Sequence, residues 1–305
     1  MKIAYELPDE VLTNEILAET YPGWTAEKIM SKTGIAQRHV ASGSEKAIDL
    51  AERAAKKLFS AENVDPASID FLLLCTQSAE LKLPSSACLL QNRLGIPAQC
   101  GALSFDHGCS GFIYGLSLAK GLIATGSAKK VLLVTAETYT KYICKDDKST
   151  RAIFGDGAAA VLLDMDDAGK IGGFSFGTDG KGADLLKVEN GRLFMDGPGI
   201  FNFTLDIVPQ TMADVLSKNG LEKDDIDLYV FHQANKFMLD TLRTVNAIPE
   251  DKFYVNLEKT GNTVSSTIPI ALKQLEEAGR LRPRMKVMLM GFGVGLSWGA
   301  NVITV

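Results

Sequence analysis

The sequence predicts an α/β fold built from two similar halves, and two internal matches between apolar segments indicate it. The apolar run 71–75 follows an Ile-Asp pair, and residues 228–232 follow another Ile-Asp pair roughly half a chain later. Residues 130–134 are matched by residues 286–290 at nearly the same separation. Short apolar runs of this kind are typical of strands buried on both faces. Helices that alternate with such strands, twice over, predict two α/β layers packed together.

Each half also has a turn and a helix between its paired strands. The first helix is predicted from about Ser110 to Ala124 and the second from about Ser265 to Ala278, each with a glycine soon after it. A glycine just past a helix is a common C-terminal signal. Cys109 and Asn262 therefore occupy related positions at helix starts, and packing of the halves about a pseudo-twofold axis predicts that they converge.

We expect the chain to divide into an N-terminal half, residues 1–165, and a C-terminal half, residues 166–305. The first half carries Cys109, and the second carries His232 and Asn262. No linker or low-complexity segment separates them, which predicts one compact unit. The glycine-rich stretch 169–199 is predicted to be irregular.

The composition is that of a soluble globular protein and excludes several classes. The 305 residues are 46 % apolar, with no apolar run as long as a membrane span and no secretory leader at the N-terminus. Five cysteines, an odd number without metal-like spacing, indicate a reducing cytoplasm and neither a disulfide framework nor a metal. The net charge of −5 provides no basic surface for nucleic acid.

Three residues far apart in sequence offer a thiol, an imidazole and a carboxamide: Cys109, His232 and Asn262. Together in one pocket they would form an acyl-transfer site. A helix N-terminus next to Cys109 favours its thiolate, although a small buried cysteine is the alternative. A buried strand seldom ends in His-Gln-Ala-Asn for packing alone, so a functional His232 is favoured. Asn262 by itself is equally compatible with a plain turn or a helix cap.

Other motifs favour structural roles. His107, two residues before Cys109, is interpreted as structural because it lacks a partner pattern. Residues 291–295 (Gly-Phe-Gly-Val-Gly) precede a strand, whereas a dinucleotide loop precedes a helix. We interpret them as a tight turn whose free N–H groups could point at a ligand. Several basic residues are ordinary surface charges unless an anionic ligand is shown: Lys32, Arg38, Lys148 and Arg151.

Taken in order along the chain, these segments resemble the β-ketoacyl-acyl carrier protein synthase III family of the thiolase superfamily. The matching segments are residues 32–35 with 38–39, 83–88, 108–112, 153–158, 195–197, 232–235, 261–263 and 291–299. Any one match is weak, but all of them in order are highly specific. Condensing enzymes with a Cys-His-His set and thiolases with a second catalytic cysteine fit less well, and plant-type polyketide synthases are usually longer.

The resemblance implies a thiolase-like five-layered αβαβα fold and a homodimer. It implies that Cys109 accepts an acyl group from a coenzyme A or acyl carrier protein thioester, with the oxyanion held by the backbone N–H groups of Cys109 and Val294. Malonyl-acyl carrier protein then loses carbon dioxide, and His232 and Asn262 donate hydrogen bonds to the enolate oxygen. The product is a 3-oxoacyl thioester, and no cofactor is bound permanently.

This chain departs from the family where a coenzyme A nucleotide is held. A Trp and an Arg of the family are replaced by Lys28 and Lys32, and a second Arg by Lys148, while Trp24 is out of register. Lysine lacks the planar fork of arginine, which weakens the case for coenzyme A and makes a carrier-protein donor plausible. The residues expected to hold the carrier group are Lys32, Lys148, Arg151, Asn235 and Lys236.

The acyl pocket and the docking surface depart as well. Leu83 replaces a Phe that reaches the acyl tunnel of the partner subunit in some members, and with Phe154 it is expected to line the acyl pocket. A longer or branched chain would then fit. Phe237 occupies a position where the family has a basic residue, so docking of the carrier protein is expected to differ.

Two rival functions remain at the level of sequence. An acyltransferase of the same fold would pass the acyl group to a hydroxyl or amine without decarboxylation, but it needs no second enolate donor such as Asn262. A non-catalytic partner subunit would have no reason to retain all three polar residues.

Overall fold

The computed structural model describes residues 1–305 and contains thirteen strands and ten α-helices. The strands are β1 Lys2–Glu6, β2 Val11–Thr13, β3 Gln37–His39, β4 Phe71–Cys75, β5 Gly101–Phe105, β6 Val131–Glu137, β7 Gly157–Leu163, β8 Ile171–Thr178, β9 Leu186–Glu189, β10 Arg192–Met195, β11 Leu228–Phe231, β12 Lys286–Gly293 and β13 Ser297–Thr304. The helices are α1 Asn14–Thr20, α2 Ala26–Thr33, α3 Ala47–Glu62, α4 Ser86–Arg93, α5 Gly111–Ala124, α6 Lys148–Arg151, α7 Met165–Gly169, α8 Gly197–Asn219, α9 Lys236–Val245 and α10 Thr267–Glu277.

The two main sheets share one topology. The first has the order β1-β7-β6-β4-β5, in which β6, β4 and β5 are parallel and β7 and β1 are antiparallel to their neighbours. The second has the order β8-β13-β12-β11, again with a parallel pair, β11 and β12, followed by two antiparallel strands. A parallel bridge between Tyr229 and Phe253 lies outside β11, where β5 lies in the first sheet. The prediction of two duplicated halves is confirmed.

Five layers follow from which helices pack against which sheet. Helices α5 and α10 lie between the two sheets and share one apolar core with both of them. Helices α3 and α4 cover the outer face of the first sheet, and α8 and α9 lie outside the second. Every residue of β6 and β7 is buried, as expected for strands covered on both faces. The predicted αβαβα class is confirmed.

Two local predictions were wrong. The stretch 169–199 is not irregular, because it forms β8, the β9–β10 hairpin and the start of α8. Its glycines meet a packing need: a Cβ at Gly177 would lie 2.0 Å from Cζ2 of Trp298 on the neighbouring strand. The second wrong prediction is the surface position of Arg38, because its side chain is fully buried. The helix expected from about Ser265 is confirmed within two residues, since the 3₁₀ turn Val264–Ser266 continues into α10. The boundary between residues 165 and 166 stays a prediction. No helix has both the length and the apolar character that crossing a membrane requires.

Candidate active site

Cys109 lies between the end of β5 and the start of α5, with Ser110 as the helix N-cap. The side chain is buried. Burial raises the pKa of the Cys109 thiol to about 12, although a hydrogen bond with the Val294 backbone N–H acts in the opposite direction. Desolvation therefore opposes the thiolate that the helix N-terminus was expected to favour. The resting sulfur is a neutral thiol.

His232 follows β11 directly and is also buried. Burial lowers its pKa to about 3, so the imidazole is neutral at pH 7. Its Nδ1 lies 2.7 Å from the Thr267 hydroxyl oxygen, which lies 3.1 Å from the Val264 carbonyl oxygen. When the hydroxyl donates to Val264, it accepts from Nδ1–H and leaves Nε2 as a free acceptor. When the Thr267 hydroxyl instead donates to Nδ1, the neutral imidazole carries its proton on Nε2. Thr267 can therefore support either tautomer.

Asn262 presents its amide group to the imidazole. Its Oδ1 accepts a hydrogen bond from the Val264 backbone N–H at 2.9 Å, which leaves Nδ2 3.4 Å from Nε2 of His232. Val264 has a φ of 55°, an uncommon conformation for a β-branched residue. Strain of this kind is concentrated at functional sites, and here it accompanies the turn that fixes the orientation of the amide.

One cavity of about 100 Å³ brings Cys109, His232 and Asn262 together. Its lining is otherwise mostly apolar: Ile153, Phe154, Leu186, Met195, Gly197, Ile200, Ala234, Asn235, Met238, Phe292 and Gly293. The long separations in sequence are thus bridged by the packing of the two halves. A thiol, a neutral imidazole and a carboxamide in a small, largely apolar space are suited to acyl transfer through a thioester.

A second cavity, of about 220 Å³, adjoins the first. It shares Leu186 with the first cavity and is also lined by Val294, the residue whose N–H contacts Cys109. Gln77, Tyr139 and Tyr142 form part of its wall, and none of them was singled out in the sequence. Gln77 could have been found by the rule that polar residues just after a buried strand lie near α/β sites, because it follows β4.

The mouth of the first cavity widens into a space of about 440 Å³ that contains Trp24 and Lys32. The Nζ atoms of Lys32 and Lys148 lie 5.9 Å and 5.7 Å from the Trp24 ring centroid. The two lysines that replace arginines are therefore grouped around an aromatic ring, which the register of the sequence did not indicate. Asn235 lines both spaces, and its Oδ1 caps α9 by accepting from the Met238 N–H.

The remaining predicted residues lie elsewhere. Arg151 and Lys236 do not line these three cavities, and Lys236 forms an ion pair with Asp240. Leu83 is 85 % exposed and lines none of the three. Phe154 is buried in the wall of the first cavity, beside Cys109.

Comparison with known proteins then identifies the family. The model described as 3-oxoacyl-[acyl-carrier-protein (ACP)] synthase III matches residues 104–180, and the model of its C-terminal part matches residues 216–305. A β-ketoacyl-[acyl-carrier-protein] synthase III of Listeria innocua is 37 % identical, with 97 % of this chain and 95 % of that protein covered. This chain belongs to the 3-oxoacyl-[acyl-carrier-protein] synthase III family.

Solved structures of synthase III proteins agree with that assignment. One 3-oxoacyl-(acyl-carrier-protein) synthase III is 46 % identical, with a TM-score of 0.97 and 99 % and 98 % of the two chains covered. The synthase III of Aquifex aeolicus is 32 % identical, with a TM-score of 0.94 and 100 % and 98 % covered. The predicted family, fold class and enzyme class are confirmed.

Proposed function

We propose that this chain catalyses the decarboxylative condensation of an acyl thioester with malonyl-acyl carrier protein, giving 3-oxoacyl-acyl carrier protein and carbon dioxide. The observation that carries the proposal is the meeting of Cys109, His232 and Asn262 in one buried cavity. Family membership supports the same reaction, since the relatives are named as synthases of this type.

In the first half-reaction Cys109 attacks the acyl thioester. Because the thiol is neutral at rest, its proton must leave, and Nε2 of His232 accepts it when Thr267 bonds to Nδ1–H. The backbone N–H groups of Cys109 and Val294 stabilise the oxyanion. The carrier thiolate departs with the proton, leaving acyl-Cys109 and a neutral imidazole.

In the second half-reaction the malonyl carboxylate leaves as carbon dioxide, and its electron pair forms an enolate. Asn262 Nδ2 and the Nε2–H tautomer of His232 donate to the thioester oxygen where the charge collects. The enolate carbon attacks the acyl carbonyl, and Cys109 leaves as a thiolate that takes up one proton. Nothing in this scheme calls for a permanently bound cofactor.

The mouth supports a role in holding the carrier group. Lys32 and Lys148 place two positive charges beside Trp24, next to the passage toward Cys109. Ammonium groups bind phosphate as point charges, and the phosphopantetheine arm of carrier protein and coenzyme A both carry phosphate. Asn235 lines the passage itself. Arg151 and Lys236 are included in the proposal as carrier-binding residues outside these cavities. Acyl carrier protein is the proposed partner for the malonyl group.

We extend the proposal to a homodimer in a reducing cytoplasm, where a free catalytic thiol is maintained. Strand β5 is the edge of the first sheet and leaves backbone groups unpaired. Exposed Leu103 lies on β5 itself, and exposed Leu81 and Leu83 lie in the loop before α4. Burial of these apolar side chains against a second copy supports the proposal, with Leu83 completing the acyl pocket of the partner.

Two variants test the division of roles. Cys109→Ala should abolish acyl-enzyme formation in intact-protein mass spectrometry, while Cys88→Ala, at an exposed cysteine, should leave it unchanged. Asn262→Ala should form the acyl-enzyme at close to the normal rate but lose about 10²–10³-fold in carbon dioxide release from malonyl-acyl carrier protein. Equal damage to both half-reactions would show that Asn262 has another role. Acyl transfer without carbon dioxide release would favour the simple acyltransferase instead.

A further inference from the structure

The second cavity contains a polar pair that the reaction above does not use. Gln77 Oε1 accepts a hydrogen bond from the Tyr139 hydroxyl at 2.5 Å. The Nε2 of the same carboxamide has no hydrogen-bond partner in the chain, and Gln77 lines the cavity. An amide flip would exchange the two atoms but would still leave one polar atom free. The pair therefore offers the cavity an unused hydrogen-bonding group.

This group is held rigidly and close to the thiol. The backbone N–H of Gln77 lies 3.2 Å from each oxygen of the buried Glu137 carboxyl group. The Tyr139 ring is buried, 5.6 Å from the Phe154 ring. A Cβ on Gly108 would lie 2.7 Å from Gln77 Oε1, so the carboxamide packs against the backbone just before Cys109. Fixed polar groups of this kind discriminate among ligands because they need no reorganisation.

The size and lining of the cavity set the kind of group that fits. Its volume of about 220 Å³ has apolar walls at Leu186, Val188 and Leu193, next to the polar pair. That volume corresponds to on the order of seven water molecules, which suits a short acyl chain. Asp106 in the wall disfavours an anionic chain end.

We infer that Gln77, held by Tyr139, selects short acyl groups that carry a neutral oxygen substituent, such as a 3-hydroxyl or 3-oxo group. The inference rests on the proposed function and names its acyl substrate class. A plain alkyl chain would cover the free carboxamide atom without satisfying it, which carries a desolvation cost. A site that hydrogen-bonds an oxygen substituent strongly rejects the analogue without that oxygen. An apolar pocket, by contrast, rejects an added hydroxyl only weakly.

The test compares two acyl groups of nearly equal shape on one thiol, 3-hydroxybutanoyl- and 3-methylbutanoyl-N-acetylcysteamine. The rate of mass gain at Cys109 in the whole protein is followed for each. The wild-type chain should react at least about tenfold faster with the hydroxy compound. Gln77→Leu should remove most of that preference while keeping reaction with the methyl compound. Lys187→Met is the control and should keep the preference. Lys187 lines the same wall, but its ammonium group forms an ion pair with Asp184, which does not line the cavity.

Tyr139→Phe provides a second variant if Gln77→Leu does not fold. Loss of the hydroxyl releases the carboxamide, and the preference should fall by several-fold. The inference is overturned if the wild-type chain reacts equally well or better with the methyl compound, if only an acetyl control labels Cys109, or if the preference survives in both variants. Failure of every thioester, acetyl included, to label Cys109 would instead refute the proposed function and the inference with it.

Discussion

At the residue scale, the site is built from groups that are neutral before substrate arrives. Burial acts in opposite directions on the two titratable members, raising the pKa of Cys109 and lowering that of His232. The sequence identified both residues, because each directly adjoins a predicted strand or helix end. It did not give their protonation states, because these depend on burial by residues far away in the chain, such as Val294 and Phe292. Gln77 was missed although its position just after β4 is a signal for a site residue, and the sequence alone does not show which cavity its side chain reaches.

The neutral thiol gives a pH-dependent prediction. A Cys109 pKa of about 12 lies far above neutral, so the thiolate fraction should rise about tenfold for each pH unit between pH 7 and pH 10. Iodoacetamide labelling of Cys109, followed by peptide mass spectrometry, should therefore accelerate steadily over that range. Exposed Cys88 in the same sample serves as the internal control. A flat rate for Cys109 from pH 6 upward would instead indicate a thiolate–imidazolium pair.

At the scale of elements, one loop of the second half is anchored to the first. Asn262 donates its backbone N–H to the Ile153 carbonyl and accepts from the Gly155 N–H, at 2.9 Å and 3.0 Å. The internal repeat predicted strands and helices well, because burial on both faces and terminal glycines leave clear patterns. It did not predict this loop, whose geometry is set by contacts between halves. The equivalence of Cys109 and Asn262 is correspondingly loose: Cys109 directly precedes the N-cap of α5, whereas a 3₁₀ turn separates Asn262 from α10.

Gly261→Ala tests that anchoring. Gly261 has a φ of 65°, and a Cβ there would lie 2.9 Å from the Ile153 carbonyl oxygen. The variant should displace Asn262 and reduce carbon dioxide release more than acylation of Cys109. Gly126→Ala is the matched control, because its φ is 73° but nothing lies within 4 Å of a Cβ. Both variants should lose about 1–2 kcal/mol of stability from the left-handed backbone, and only Gly261→Ala should separate the half-reactions. Equal catalytic loss in both would assign the effect to stability alone.

At the scale of the whole molecule, the two related sheets end differently at one edge. On the side away from β12, strand β11 of the second sheet pairs only through the bridge between Tyr229 and Phe253. In the first sheet the equivalent strand β4 pairs with β5, a full edge strand. The sequence predicted both sheets from their repeated strands. It predicted the dimer only through the family, because a free edge is visible only once the strand order is known.

Leu103→Lys tests this surface. Leu103 lies on β5 and is 44 % exposed in the isolated chain, so a lysine there should cost a single subunit little stability. In the proposed dimer this side chain becomes buried. In a twofold interface the lysine of one subunit lies near the same lysine of the other subunit or against an apolar surface. Charge repulsion or burial of the charge should therefore oppose association. Sedimentation velocity should show a dimer for the wild-type chain and a monomer for Leu103→Lys. Val245→Lys, at the end of α9 and 56 % exposed, should remain dimeric. The monomeric variant should also acylate Cys109 less selectively, since Leu83 of the partner subunit would no longer close the pocket. If Leu103→Lys remains a dimer in sedimentation, the interface lies elsewhere.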